Sequence, residues 1–200
     1  MKILVIGGTG TIGKVVSKRL GEKDEVIIAG RNSGEVNMDI GDKTTIQAAL
    51  EKTEKLDAIV CVAGQAKWAA FNDLSEEDYF IGIKSKLMGQ VNLVRIGQQY
   101  LNPKGSITLT TGILADDPVM KTTSAAMVNG ALHSFVRAVA LEIENGIRVN
   151  VVSVGVVQDA YEKYKDIFAG YSPIPMDKVA NAYVRSVHGK RSGEIIRVYE

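Results

Sequence analysis

Two hundred residues carry 24 Lys plus Arg against 23 Asp plus Glu, a net charge of +1, with 46% hydrophobic content, and at roughly 150 residues per domain this describes one folded unit, residues 1 to 200. Balanced charge argues against a broad nucleic-acid or anionic-membrane footprint, and no stretch reaches the ~20 apolar residues of a membrane span. The single cysteine, Cys61, excludes an internal disulfide and paired-cysteine zinc sites, so the expected setting is reducing and cytoplasmic, with no metal.

Short Val- and Ile-rich runs recur at residues 3 to 6, 26 to 29, 58 to 62, 107 to 111, 147 to 154 and 195 to 198, and stretches with helical spacing separate them. Runs buried on both faces and alternating with helices are what a parallel sheet covered by crossover helices requires. The predicted class is therefore α/β, a doubly wound parallel sheet in three layers, α/β/α. Only RNSGEV separates Ala29-Gly30 from a candidate third strand near Val36 to Met38. A parallel crossover normally needs a dozen or more residues, so a missing helix and a short edge strand are expected there. The two long helices are expected over Ser75 to Leu101 and Thr123 to Glu144.

The first strand runs directly into GGTGTIG, residues 7 to 13, and then KVVSKRL, which reads as a helix. A glycine turn joining strand to helix gives close backbone approach and aims amide groups at a pyrophosphate on the helix's positive end. Gly7, Gly10 and Gly13 fill those roles, with Thr9 and Ile12 beside them in the candidate site. At the end of the second strand, where an acidic residue would bind a ribose 2′-hydroxyl, the sequence has Arg31. A guanidinium can grip a 2′-phosphate through paired charge-assisted hydrogen bonds, with Asn32, Ser33 and Thr9 as neutral partners. The expected cofactor is NADP(H) rather than NAD(H). Asp39 has two readings, an acceptor for an adenine amino group or the N-cap of the next helix.

These residues resemble the short-chain dehydrogenase/reductase superfamily along nearly the whole chain. The stretch ALHSFVRAVALEIENGIRVNVVSVG, residues 131 to 155, is similar to that family's long helix, turn and sixth strand, while MDI at 38 to 40 and VAGQ at 62 to 65 resemble its adenine-contacting and Asn-Asn-Ala-Gly segments. The resemblance implies a Rossmann-like fold, adenine contacts for Asp39 and Ile40, and cofactor ribose packing over Ala63 and Gly64. It also implies a Ser, a Tyr and a Lys four residues after the Tyr, which together protonate and orient a carbonyl. Here those positions fall on Gly112, Ala125 and Asn129, and the family's Asn falls on Lys86. Val154 stands in the Pro-Gly corner, and Asp159 where a Thr would meet the carboxamide. The chain is most similar to a divergent subgroup with a glycine loop but without those active-site residues, leaving Thr111 and Lys86 as the polar groups at inherited catalytic positions.

The expected function is cofactor binding with ordinary Tyr/Lys catalysis lost. The alternatives are an active NADPH-dependent oxidoreductase on a small carbonyl or alcohol using an atypical proton donor, a cofactor-sensing regulatory protein, and a structural partner with an empty cleft. Several other residues invite a reading. Tyr161 and Lys165 repeat the Tyr-x-x-x-Lys spacing after the sixth strand, where a solvated helix face is the simpler account. His133 shares a polar stripe with Arg137 and Glu144 and reads as a surface or interface residue, and His188 has no visible partner. Trp68 and Phe71 either line a pocket or pack under a lid, and Cys61 reads as buried. The helix near 125 to 143 is apolar on one face and uncharged on the opposite one. Two burial partners are then needed, and the expected second partner is a symmetry mate in a dimer or tetramer.

Overall fold

A computed structural model describes residues 1 to 199. The seven strands are β1 (Lys2–Ile6), β2 (Glu25–Gly30), β3 (Val36–Asn37), β4 (Leu56–Cys61), β5 (Leu101–Gly112), β6 (Arg148–Val154) and β7 (Ile195–Val198). They form one parallel sheet in the order β3-β2-β1-β4-β5-β6-β7. The order reverses between β1 and β4, and in such sheets ligands bind in the crevice outside the strand ends at that switch. No helix separates β2 from β3, as the short connection predicts, and β3 is a two-residue edge strand.

Alternation along each strand feeds two cores. Leu4, Ile6, Ile59, Cys61, Ile107 and Leu109 pack against α2 (Lys43–Thr53), α4 (Gly89–Gly97) and α5 (Thr123–Glu142). Ile3, Val5, Ala58, Val60, Val152 and Ile196 point the other way, onto α1 (Thr11–Leu20) and α7 (Met176–His188). The Rossmann-like three-layer arrangement follows from this two-sided burial.

The first long helix is the main correction. Instead of one helix to Leu101, the chain forms α3 (Glu76–Gly82), a π-helical segment at Ile83–Met88, then α4 and a single 3₁₀ turn, and Leu101 already belongs to β5, paired with Leu56. The apolar spacing of Leu93, Val94 and Leu101 suits a helix and a buried strand equally over so short a run. Helix α5 ends at Glu142, two residues short of the expected boundary. Its inner face buries Val128, Leu132 and Val136, while Met127 and Leu141 on the outer side are exposed. Among the described residues no helix is long and apolar enough to cross a membrane, and no group of three or more His, Cys, Asp or Glu side chains is placed to hold a metal.

Candidate cofactor cleft and active site

The loop between β1 and α1 is built by close packing. A Cβ on Gly13 would lie 2.0 Å from the Gly7 carbonyl oxygen, so only glycine lets the helix start this near the strand. No side chain caps α1, and its first turn holds no acidic residue. Its leading amide groups therefore remain available to an anion. The carbonyl of Gly7 accepts from the Gly10 amide at 3.0 Å and fixes the turn.

A cavity of about 360 Å³ opens beside this loop. Gly7, Thr9, Gly10, Arg31, Asn32, Ser33, Asp39, Ile40, Ala63 and Gly64 all line it, so ten of the residues singled out in the sequence come together. Thr9 and Ser33 join their hydroxyls across its rim at 2.7 Å. Arg31 is exposed, and its carbonyl accepts from Asn37 Nδ2 at 2.6 Å, which fixes the backbone that carries the guanidinium. The two readings of Asp39 separate here. The N-cap of α2 is Asp42, which accepts from the Thr44 amide at 2.9 Å, whereas Asp39 faces the cavity and accepts from the Gly41 amide.

A second cavity of about 550 Å³ continues the first, sharing Gly10, Val62, Gly64 and Gln65 with it. Ile12 and Gly13 line this part, together with Lys86, Thr111, Gly112, Ala125, Asn129 and Val154. The positions where the family resemblance places its catalytic groups are thus gathered in one cavity, and the side chains present there are those of Gly112, Ala125, Asn129 and Lys86. Asn129 is 3% exposed, and its Oδ1 has no hydrogen-bond partner. Buried polar atoms are seldom left unpaired, so this acceptor is suited to a ligand hydroxyl. With the open N-terminus of α1 and the Gly13 approach, it makes the cleft fit a dinucleotide.

Lys86 sits in the π-helical segment, one turn before Gln90, which braces it against β5. β4 ends at Cys61, so the Thr110 peptide of β5 has no strand partner on that side, and the buried Gln90 supplies both bonds: its Oε1 accepts from the Thr110 amide at 2.8 Å and its Nε2 donates to the Thr110 carbonyl at 3.0 Å. Gln90 Nε2 also donates to the Lys86 carbonyl at 3.2 Å. Such widened helical turns recur at functional sites. Neither Gln90 nor the π segment is visible in the sequence, because a lone glutamine in an apolar helix has no distinguishing spacing.

Several side chains stand elsewhere than expected. His133 is not on a surface stripe: it is buried, and its Nε2 lies 2.9 Å from Thr111 Oγ1. Helix α5 turns it toward β5, and burial holds its imidazole below the ordinary histidine range. Asp116 lies near it, bonded by Arg197 at 2.8 and 3.1 Å and by the Tyr199 hydroxyl, and Arg197 holds its carboxyl at about 2. Asp159 points away from the cleft into a surface groove with Lys18 and Arg19. His188 has a partner after all, Asp24 at 2.9 Å. Phe71 is exposed and lines neither cavity. Trp68 lines the second cavity while packing against Tyr164 and Phe168, at 5.4 and 6.5 Å between ring centroids. Tyr164, on α6 (Gln158–Tyr164), is therefore the tyrosine of that segment that lines the cavity, one turn from Tyr161, which packs among Ile113, Ala125 and Phe168. Lys165 pairs with Glu162 at 2.7 Å. Cys61 is buried, and burial pushes its thiol up to about 11.

Comparison with known proteins agrees with this architecture. Residues 14–181 match the family described as Enoyl-(Acyl carrier protein) reductase. The chain is 27% identical over 184 residues to a short-chain dehydrogenase/reductase, ATR9, of Stachybotrys chlorohalonatus, covering 76% of this chain and 72% of that protein. It is 32% identical over 128 residues to the 2,3-dihydro-2,3-dihydroxybenzoate dehydrogenase of Escherichia coli, covering 59% of this chain and half of that enzyme. Among solved structures, protein lin1944 of Listeria innocua superposes over both full chains with a TM-score of 0.98 at 46% identity. A small-chain dehydrogenase in complex with NADPH superposes with a TM-score of 0.88 at 27% identity, covering 99% of this chain and 96% of that one.

Proposed function

The chain belongs to the short-chain dehydrogenase/reductase family, and from that premise we propose that it is an NADP(H)-binding member in which the ordinary Ser, Tyr and Lys proton-delivery group is lost. The observation that carries the cofactor choice is Arg31, exposed at the end of β2 on the rim of the first cavity, with Asn32 and Ser33 beside it. A guanidinium there favours a 2′-phosphate and an acidic residue would favour a free 2′-hydroxyl. The neighbouring structure that holds NADPH supports the same choice. In this reading Gly7, Gly10, Ile12 and Gly13 take the pyrophosphate, Asp39 and Ile40 the adenine, and Ala63 and Gly64 the second ribose.

In the second cavity, hydride addition to a carbonyl leaves an oxyanion that has to be protonated or electrostatically stabilised as it forms. Ala125 and Gly112 offer no group for this, and Asn129 offers a neutral amide. Simple ketones and aldehydes should therefore be turned over little or not at all. The same reading makes residues 1 to 200 one cytoplasmic dinucleotide-binding domain that self-associates through the outer side of α5, where Met127 and Leu141 stay uncovered. Calorimetric titration of wild type and Arg31→Ala with NADPH and NADH tests the cofactor assignment. Equal affinity of the wild type for both, or a variant that loses both alike, would overturn it.

A further inference from the structure

Residues 157 to 174 form a flap that closes on itself and has few directional ties to the rest of the chain. Its ends are joined by a parallel bridge between Val157 and Ile174, with Gln158 N donating to the Ile174 carbonyl at 2.9 Å and Ile174 N to the Val156 carbonyl at 2.8 Å. Between those ends the backbone bonds internally, as Lys165 N does to the Tyr161 carbonyl and Tyr171 N to the Phe168 carbonyl. Among the described residues, one side-chain hydrogen bond joins residues 158 to 172 to the body: the Tyr171 hydroxyl donates to Asp117 Oδ2 at 2.5 Å, at an exposed position. Gly170, at φ +87°, turns the chain into Tyr171, a conformation that glycine adopts at no steric cost. The turn that carries Asp117 is itself anchored, since the adjacent Asp116 accepts from Arg197 of β7 at 2.8 and 3.1 Å.

The flap is also one wall of the second cavity, through Val157, Ala160, Tyr164 and Phe168, and it contributes nothing to the lining of the first. The rings of Tyr171 and Phe168 meet edge to face at 5.4 Å between centroids, and Phe168 packs in one apolar cluster with Ile113, Leu114 and Ala125 of the body. Apolar contacts of this kind are non-directional, so the position of the wall depends on the one bond that has a direction. Segments held by few such contacts are where proteins open locally and gate their cavities.

We infer that the hydrogen bond between Tyr171 and Asp117 is a latch: it keeps the flap shut against the second cavity, and a molecule reaches the depth of that cavity, at Ala125, when the latch opens. Tyr171 acts through Phe168 and is a positioning residue. The first cavity, with no flap residue in its wall, exchanges its ligand without this step. The inference goes beyond the proposed function and does not depend on the cofactor choice.

The test places a reporter thiol behind the flap in the full chain. In an Ala125→Cys background, labelling by iodoacetamide is followed by peptide mapping, and Cys61, buried in the core on the other side of β4 and β5, reports global unfolding in the same sample. Tyr171→Phe is expected to speed labelling at position 125 about three- to tenfold, the population shift that one exposed hydrogen bond supplies, and Asp117→Ala is expected to do the same. The double variant should label no faster than either single one, since both remove one bond. Low urea should leave the rate at position 125 nearly unchanged and raise the Cys61 rate steeply, because a local opening exposes little surface and global unfolding exposes much. Equal rates at position 125 with and without Tyr171→Phe would overturn the latch. Single effects that multiply in the double variant, or a urea dependence at position 125 as steep as at Cys61, would overturn it as well.

Discussion

The two halves of the cleft are made by the same sheet edge and differ in what holds them. The half beside β1 and β2 is built mainly from backbone, with a helix start of uncapped amides and a glycine approach that admits no side chain, and the hydroxyls of Thr9 and Ser33 close its rim. The half beside β4, β5 and α5 is built from side chains, Gly112, Ala125, Asn129 and Lys86 among its lining, and these are the residues that the sequence resemblance sets at catalytic positions. Backbone recognition of a dinucleotide tolerates sequence change around it, whereas proton transfer depends on the identity of single side chains. Under the proposed function, the chain keeps the first half and departs in the second.

The sharpest way to break that contrast is at Gly13. Overpacking costs roughly 1–3 kcal/mol and occasionally more, and a Cβ 2.0 Å from a backbone oxygen has no flexible neighbour to displace. Gly13→Ala should lower stability by about 3 kcal/mol in urea melts and abolish NADPH binding. Retained binding at near-wild-type affinity would mean that the loop does not bring the backbone to the cofactor.

Arg31→Ala comes next. A lost hydrogen bond to a charged group is worth roughly 1.5–3 kcal/mol, so NADPH should bind about ten- to a hundredfold more weakly, while NADH changes little. In the other half, Gln90→Leu would leave the Thr110 peptide unpaired on its β4 side. With roughly 1–3 kcal/mol for a buried group left unsatisfied, a loss of about 2 kcal/mol in denaturant midpoints is expected, with NADPH affinity at the first cavity nearly unchanged.

The smallest effect is a pH dependence behind the second cavity. The hydrogen bonds from Arg197, with a further bond from Tyr199, hold Asp116 at about 2 against an ordinary 3.8. A carboxyl with a depressed folded pKa stabilises the fold fully above its unfolded value and loses that contribution as pH falls from about 4 toward 2. Asp116 is about a third exposed, so after solvent screening the contribution is about 1 kcal/mol. Acid titrations of stability should show that limb in wild type and a shallower one in Asp116→Asn.

The same contrast explains what the sequence reveals. The strand runs, the missing crossover between β2 and β3 and the glycine loop are local patterns, and each survives in the structure with its neighbours in place. Arg31, Asn32 and Ser33 are legible because they follow a strand end directly. His133 is not, since its Arg137 and Glu144 neighbours suggest a solvated stripe and only the orientation of α5 on β5 brings it to Thr111. Tyr164 is missed for a related reason: the Tyr161 to Lys165 spacing draws attention one turn away from the tyrosine that lines the cavity. The π-helical segment has no local signal at all in the spacing of Ile83–Met88.

The most direct measurement combines the two halves in one sample: NADPH binding by fluorescence titration, followed by NADPH oxidation with a panel of simple aldehydes and ketones. The account predicts binding with little or no oxidation in the wild type. Recovery of ordinary reduction should require Gly112→Ser, Ala125→Tyr and Asn129→Lys together, because residues that act as a unit are strongly non-additive. Position 112 has room for it, since a Cβ there meets only ordinary contacts at 3.4 Å and beyond. Robust wild-type oxidation of NADPH with simple ketones, proportional to protein and unaffected by Tyr161→Phe, would show that the second half retains an ordinary proton donor and would contradict the account.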